Sequence, residues 1–110
     1  GKVTVVPPHI IRQGFIESGI LRIVREGMRE TVTEGTAQSL QDVPVAVAGK
    51  TGTAQFGTAD KTHGWFVSFA PYEAPELALI ILVEGQGEEG YNAVPIAKDV
   101  LTWYFSREKY

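Results

Sequence analysis

The chain is 110 residues long, and its 44% hydrophobic and 21% charged residues are typical of one small folded domain and not of a disordered tail. Ten basic and thirteen acidic residues give a formal net charge of −3 with no basic run, which argues against nucleic-acid binding. The absence of cysteine excludes disulfides and thiolate metal sites, and the longest apolar run, Leu77–Val83, is too short to span a membrane.

An extended segment and a helix are predicted at the start of the chain. Two adjacent prolines within residues 3–12 fix φ and remove two backbone donors, so this segment is expected to be an edge strand or a connector. Apolar side chains then recur every four positions across residues 18–34, which predicts an amphipathic helix. Ser18 is the expected N-cap, and Gly35 is expected to end the helix.

The predicted helix has an apolar face and a charged face. Gly27 costs about 1 kcal/mol relative to alanine in a helix interior, so a neighbouring group is expected to pack closely there. The apolar face consists of Ile20, Leu21, Val24, Met28 and Val32, and the charged side chains expected to face away are Arg22, Arg25, Glu26, Arg29 and Glu30.

Three short strands are predicted in the middle of the chain. Residues 44–56 form the first strand after a loop, and Trp65–Ala70 and Leu77–Val83 form an antiparallel hairpin with prolines in its loop. Strands in the middle with a helix on each side in sequence indicate an α+β fold, an antiparallel sheet flanked by helices. The remaining segments are a loop at 36–43, a polar connection at 57–63, a glycine-rich acidic turn at 84–92 and a final helix at 93–105.

The clearest chemistry lies at Lys50-Thr51-Gly52-Thr53, where a short apolar strand becomes polar. In a strand, Lys50 and Gly52 share one face and the two threonines share the other. The lysine supplies positive charge, the hydroxyls donate hydrogen bonds to an anion, and the glycine lets a ligand lie against the strand edge. These residues predict a site for a ligand with a carboxylate or similar group, although the same tetrapeptide also occurs as an ordinary strand end or turn.

Several motifs, taken in order, resemble one known family. Lys-Thr-Gly is a motif of penicillin-binding proteins and serine β-lactamases. In this chain the motif lies within KTGTAQ at 50–55. The segments that accompany it are EGM at 26–28, GTA at 35–37, HGWFVSFAPYEAPELALIILVEG at 63–85 and AVPIAKDVLTWYF at 93–105. Together they resemble the C-terminal part of the transpeptidase domain of class B penicillin-binding proteins of the cell-elongation type. The resemblance covers nearly the whole chain and implies three strands of a five-stranded sheet with two covering helices.

The resemblance implies roles for the segment Lys50–Gln55. Lys50 is expected to take part in the network of proton-transferring groups around the serine and to bind the anionic ligand. Thr53 is expected to donate a hydrogen bond from its backbone N–H to the oxyanion, so both residues are expected to be catalytic. The implied substrate-binding residues are Thr51, Gly52, Thr53, Ala54 and Gln55. No cofactor is expected, because serine acyl transfer requires none. No metal is expected either, because two histidines and scattered carboxylates never gather at ligand spacing.

The family's serine nucleophile is not found in this sequence. The one formal Ser-x-x-Lys match, Ser106–Lys109, lies in a charged terminus with no pocket to activate it, and no serine is followed two positions later by asparagine. Residues 1–110 are therefore interpreted as the C-terminal segment of a transpeptidase domain whose nucleophile lies upstream in the same protein or in a separate chain. His63 is a weaker candidate base, and a solvent-exposed or hydrogen-bonded turn histidine fits its position better.

Three functions remain open. The first is a peptidoglycan D,D-transpeptidase, with stem peptides and β-lactams as ligands, at the extracytoplasmic face of the bacterial cytoplasmic membrane in a membrane-anchored parent protein. The second is a related D,D-carboxypeptidase or β-lactamase, and the third is a non-catalytic module that binds a peptide along the strand edge. The resemblance favours the first, and only the nucleophile-bearing region would separate it from the second.

Overall fold

A three-stranded antiparallel sheet, preceded and followed by a helix, is the architecture of the computed structural model, which describes residues 1–57, 61–86 and 93–107. The helices are α1 (Ser18–Thr33) and α2 (Ala93–Ser106), and a short 3-10 helix spans Gln38–Asp42. The strands are β1 (Ala48–Gln55), β2 (Thr62–Ala70) and β3 (Leu77–Gln86), in the sheet order β1-β2-β3. The predicted α+β fold with its antiparallel hairpin is confirmed.

The boundaries of the strands and connections differ from the prediction in places. β1 begins four residues later than the predicted start at residue 44, because a 3-10 helix and bends occupy residues 38–45. Thr62 and His63 belong to β2 and not to the polar connection, and Glu84 continues β3. Residues 1–17 form no strand, so the proline-containing segment is not an edge strand of the described sheet. Parts of the predicted connection, residues 58–60, and of the predicted acidic turn, residues 87–92, lie outside the described ranges.

The start of α1 is capped by Glu17, one residue before the predicted N-cap. Its carboxylate accepts hydrogen bonds from the backbone N–H of Gly19 at 2.8 Å and of Ile20 at 3.2 Å. Ser18 was therefore the wrong N-cap, because a glutamate side chain reaches the same free N–H groups. The bond from Gly19, and then that from Ile20, lowers the pKa of the Glu17 carboxyl. This cap is complete above the ordinary carboxyl pKa and is lost as the pH falls through the lowered one.

The predicted division of α1 into a buried apolar face and a solvent-facing charged face is only partly correct. Arg29 donates to the carbonyl oxygen of Val47 at 2.7 Å, and Arg25 donates to that of Tyr72 at 2.7 Å. The Arg25 guanidinium also lies 5.3 Å from the ring centroid of Phe69. Both arginines therefore face the sheet, contrary to the prediction. They do so because they donate hydrogen bonds to backbone carbonyl groups of residues that lie outside helices and strands.

The apolar stripe of α1 is buried only at its C-terminal end. Val32 is fully buried and Met28 is half-buried, whereas Ile20 and Val24 are 55% and 53% exposed. A methyl group at Gly27 would meet nothing within 4 Å, so the close packing predicted there is not found among the described residues. The N-terminal half of α1 thus presents an apolar surface to solvent.

The core lies between α2, the 3-10 helix and one face of the sheet. Fully buried Phe66 on β2 lies opposite Ile81 on β3, and Leu40 of the 3-10 helix belongs to the same buried cluster. Alternate residues of β3 follow the pleat, since Ile80 and Leu82 on the opposite face are 65% and 41% exposed. The final helix predicted at 93–105 is confirmed as α2, and its buried residues are Ala93, Val94, Ala97 and Leu101.

Lys98 on α2 forms an ion pair with Asp42 at the end of the 3-10 helix, with 2.5 Å between Nζ and Oδ2. It links the final helix to the segment that leads into β1. Within the described ranges, neither helix has the length and hydrophobicity that crossing a membrane would require.

Candidate functional site

The predicted motif lies in the middle of β1. The register places Lys50 opposite Val67 and Gly52 opposite Trp65, while Thr51 lies opposite the core residue Phe66. The uninterrupted register means that side chains alternate, so Lys50 and Gly52 share the face of Trp65 and the threonines share the face of Phe66. Lys50 and Thr53 are exposed, and Thr51 and Gly52 are half-buried. The motif therefore borders the core on one face and solvent on the other.

β1 is the outermost strand of the sheet that the structure describes. It pairs with β2 along one edge, and no strand within residues 1–57, 61–86 and 93–107 pairs with its other edge. A terminal strand presents backbone N–H and C=O groups on which an extended peptide can pair. The segment Lys50–Gln55, which contains every predicted site residue, occupies most of this strand.

The ammonium group of Lys50 lies against its own strand. Its Nζ donates a hydrogen bond of 2.8 Å to the carbonyl oxygen of Thr51, and the side chain is exposed to solvent. An exposed lysine is flexible and keeps further N–H donors for another acceptor. The geometry therefore leaves a positive charge available beside the strand edge.

The hydroxyl of Thr51 is paired with a second hydroxyl that the sequence had not assigned to the site. Oγ1 of Thr36 lies 3.1 Å from Oγ1 of Thr51, and either atom can be the donor. Thr36 follows α1, 15 residues before its partner in sequence. The only sequence signal was its place in the GTA segment at 35–37, which carried the resemblance but no role.

The two glycines of β1 differ in whether the fold requires a glycine at their position. A methyl group at Gly49 would lie 2.4 Å from Cζ of Phe66 and 2.9 Å from the carbonyl oxygen of Val67, so the fold itself requires a glycine there. At Gly52 the nearest atom would be Cβ of Trp65 at 3.5 Å, an ordinary contact. The described fold therefore does not require glycine at position 52.

Ala54 and Gln55 complete β1, and both are exposed. The strand ends beside an aromatic pair, because the rings of Phe56 and His63 stack with 4.0 Å between their centroids. Nδ1 of His63 accepts a hydrogen bond of 3.3 Å from the backbone N–H of Gly85. The histidine is thus hydrogen-bonded, as expected, but it lies in β2 opposite Ala54 and not in a turn.

The formal Ser-x-x-Lys match lies at the end of α2 and partly outside the described ranges. Ser106 is the last residue of α2, and Glu108 and Lys109 of the formal Ser-x-x-Lys match are not described. In the part of the chain that the structure describes, no group of three or more histidine, aspartate or glutamate side chains could hold a metal ion.

Comparisons with known proteins identify relatives of most of the chain. A family model for the penicillin binding protein transpeptidase domain matches residues 3–102. The peptidoglycan D,D-transpeptidase MrdA of Haemophilus influenzae is 32% identical over 100 residues, which cover 76% of this chain and 15% of that protein.

Two solved structures share the fold. Penicillin-binding protein A from M. tuberculosis, solved as an imipenem acyl-enzyme complex, matches with a TM-score of 0.69 and 31% identity over 83% of this chain and 20% of that chain. Penicillin-binding protein 2B from Streptococcus pneumoniae matches with a TM-score of 0.73 over 98% of this chain and 19% of its own. At 22% identity the second likeness shows the fold alone. The predicted resemblance and fold class are confirmed, and the chain spans only 15 to 20% of these relatives' lengths.

Proposed function

Because the chain belongs to the penicillin binding protein transpeptidase domain family, we propose that it forms the substrate-binding wall of a peptidoglycan D,D-transpeptidase. In this proposal residues 1–110 are the C-terminal segment of the transpeptidase domain. The serine nucleophile and its base belong to another part of the complete protein or to a companion chain, since the sequence lacks Ser-x-Asn and a credible Ser-x-x-Lys.

The observation that carries the proposal is the position of Lys50–Gln55 on the outermost strand. A stem peptide can add to the outer edge of β1 as an extended strand, with its backbone paired to that of the enzyme. Gly52 supports this placement, because the described fold leaves room for a Cβ atom at that position and so supplies no other reason for glycine. The ligand itself supplies the reason, since a backbone that approaches closely excludes a side chain.

The motif residues supply charge and hydrogen bonds to the acyl transfer. The serine hydroxyl attacks the carbonyl carbon of the last peptide bond of the donor stem peptide, a proton is transferred to the nitrogen of the C-terminal residue, and that residue leaves as its amine, so that an ester to the serine remains. The amine of a second stem peptide then attacks the ester, which forms the amide of the cross-link and returns a proton to the serine oxygen. Lys50 stabilises the anionic ligand and the proton network around the serine. The hydroxyls of Thr51 and Thr53 bind the terminal carboxylate, and the backbone N–H of Thr53 donates to the oxyanion.

The proposed substrate fixes the place of action. Peptidoglycan lies outside the bacterial cytoplasmic membrane, so the proposed location is the extracytoplasmic face of that membrane, in a membrane-anchored parent protein. A β-lactam enters the same site, acylates the same serine and places its carboxylate on the same two hydroxyls. Support for this comes from the M. tuberculosis relative, whose structure is an imipenem acyl-enzyme complex.

The test is a reaction of the complete protein with two stem peptides, followed by mass spectrometry of the products. A cross-linked dimer is the expected product, and its formation should stop after pre-incubation with penicillin. Hydrolysis without cross-linking would assign a carboxypeptidase instead. Peptide binding without any bond cleavage, and without covalent penicillin, would assign a non-catalytic peptide-binding module.

Gly52→Val in the complete protein is expected to reduce acylation by a fluorescent penicillin steeply while lowering the melting temperature by only a few degrees. The Cβ atom of the added side chain meets only an ordinary contact within the described fold, and the branched side chain occupies space beside the ligand edge. Labelling kinetics and thermal unfolding measure the two effects.

Gly49→Ala is the matched control on the same strand. Its methyl group would collide with the Phe66 ring, so this variant should lose about 1–3 kcal/mol of stability. Unchanged acylation in Gly52→Val would mean that the ligand does not run along β1.

A further inference from the structure

The hydroxyl pair Thr36–Thr51 joins the turn after α1 to the middle of the motif strand. The two Oγ1 atoms are 3.1 Å apart, within hydrogen-bond distance. Thr51 is half-buried and lies on the core face of β1, opposite Phe66, whereas Thr36 is exposed. Thr36 is not part of the buried core cluster, and its hydroxyl bonds that of Thr51 among the residues that the structure describes.

Thr36 is held in place by its neighbours on both sides. The backbone N–H of Gly35 donates to Glu30 O and that of Ala37 donates to Thr31 O, each at 3.0 Å. Ala37 is fully buried in the core cluster. A methyl group at Gly35 would lie 2.9 Å from Cα of Thr31, so the turn is tight. The hydroxyl of Thr36 is therefore presented to β1 from a backbone that the C-terminal end of α1 fixes.

From this geometry we infer that Thr36 is a positioning residue that acts through Thr51 and aims the Thr51 proton at the carboxylate of the bound ligand. The inference rests on the proposed function. A hydroxyl has one proton and two acceptor lone pairs, so an unpaired Thr51 can rotate its proton away from the ligand. When Thr36 donates to Oγ1 of Thr51, the proton of Thr51 is left for the carboxylate, and the chain of two hydrogen bonds polarises the second donor. Thr36 itself does not touch the ligand.

A double-mutant cycle with Thr36→Val and Thr51→Val in the complete protein tests this inference. Valine keeps the shape of threonine and removes the hydroxyl. The measured quantity is the second-order rate constant of acylation by benzylpenicillin and by its methyl ester, which lacks the charged carboxylate. Thr33→Val is the control, because the hydroxyl of Thr33 bonds carbonyl groups of its own helix. Melting temperatures establish that every variant is folded.

With the free acid, we expect a rate about tenfold lower for Thr51→Val and about fivefold lower for Thr36→Val. The double variant should match Thr51→Val alone, because a residue that acts only through Thr51 has no effect once that hydroxyl is gone. With the methyl ester, Thr36→Val should react like the unmodified protein. A change in packing alone would slow the acid and the ester equally, so this selectivity is specific to the inferred role.

Each other outcome has a definite meaning. If Thr51→Val slows the acid and Thr36→Val does not, the inference is wrong and the proposed function stands. If the two losses multiply in the double variant, Thr36 contacts the ligand directly, and the inference is again overturned. If neither variant slows the free acid, the hydroxyl of Thr51 does not bind the carboxylate, and the inference is overturned together with that contact. If the unmodified protein itself is not acylated by benzylpenicillin, the proposed function fails. Equal slowing of the acid and the ester by Thr36→Val would assign a purely structural role.

Discussion

Lys50→Ala in the complete protein is expected to lower the second-order rate constant of acylation by a fluorescent penicillin at least ~100-fold, which corresponds to about 2.7 kcal/mol of transition-state stabilisation. The ammonium of Lys50 is exposed beside the strand edge and is held by a single carbonyl of its own strand. Its removal should therefore leave the described fold intact and remove positive charge from the site. We expect the decrease in the acylation rate constant to reflect the reaction and not a loss of folded protein. Thermal unfolding of the same variant, measured in parallel, checks this.

Two further variants are compared with Lys50→Ala. Lys61→Ala removes the same charge from an exposed residue that precedes β2, and it should leave acylation unchanged. Thr53→Ala should cost less than Lys50→Ala, because its backbone N–H is retained for the oxyanion. Negligible losses in both Lys50→Ala and Thr53→Ala, with folded protein, would remove the motif from the active site. A loss in Lys61→Ala as large as that in Lys50→Ala would reduce the role of Lys50 to general electrostatic attraction.

The elements of the fold were predictable because each has its own local periodicity. The β2–β3 hairpin combines apolar strands with proline-containing connections, and α2 repeats apolar residues at helical spacing. The faces of α1 were less predictable. Arg25 and Arg29 bind carbonyls of Tyr72 and Val47, residues far away in sequence, and periodicity holds no information about such acceptors. The same limit explains why Glu17 was not predicted as the N-cap of α1, because its longer side chain reaches the free N–H groups only in a suitable rotamer.

The candidate site divides in the same way. Alternation along β1 follows from strand geometry, so the faces of Lys50 and Thr51 could be derived from their spacing. The pairing of Thr51 with Thr36 could not, because it depends on how the turn after α1 is placed against the strand. The two glycines of β1 look alike in sequence, and only the position of the Phe66 ring shows which of them the fold needs.

The 110-residue segment on its own is expected to show no covalent labelling by a fluorescent penicillin and no cooperative unfolding as a monomer. Labelling should fail because the sequence has no Ser-x-Asn and no Ser-x-x-Lys outside its charged terminus. Folding should be marginal because large apolar side chains remain exposed on two elements. Ile23 on α1 is 65% exposed, and Ile80 on β3 is also 65% exposed. Small cores with such surfaces have little stability to spare, and the outer edge of β1 adds a strand edge prone to association.

Adding a polypeptide that carries Ser-x-x-Lys and Ser-x-Asn from the same family should restore both properties. It would supply the nucleophile and cover the apolar surface of α1 and the edge of β1 in one step. Denaturing electrophoresis after labelling and thermal unfolding by circular dichroism measure the two effects, on the segment alone, on the added polypeptide alone and on the mixture. A covalent label on the isolated segment, mapped by mass spectrometry to Ser106, would make that serine the nucleophile and reverse its rejection. A sharp thermal transition of the isolated monomer would show that the buried cluster around Phe66 and Leu101 is a sufficient core, and that the exposed face of α1 is not needed for folding.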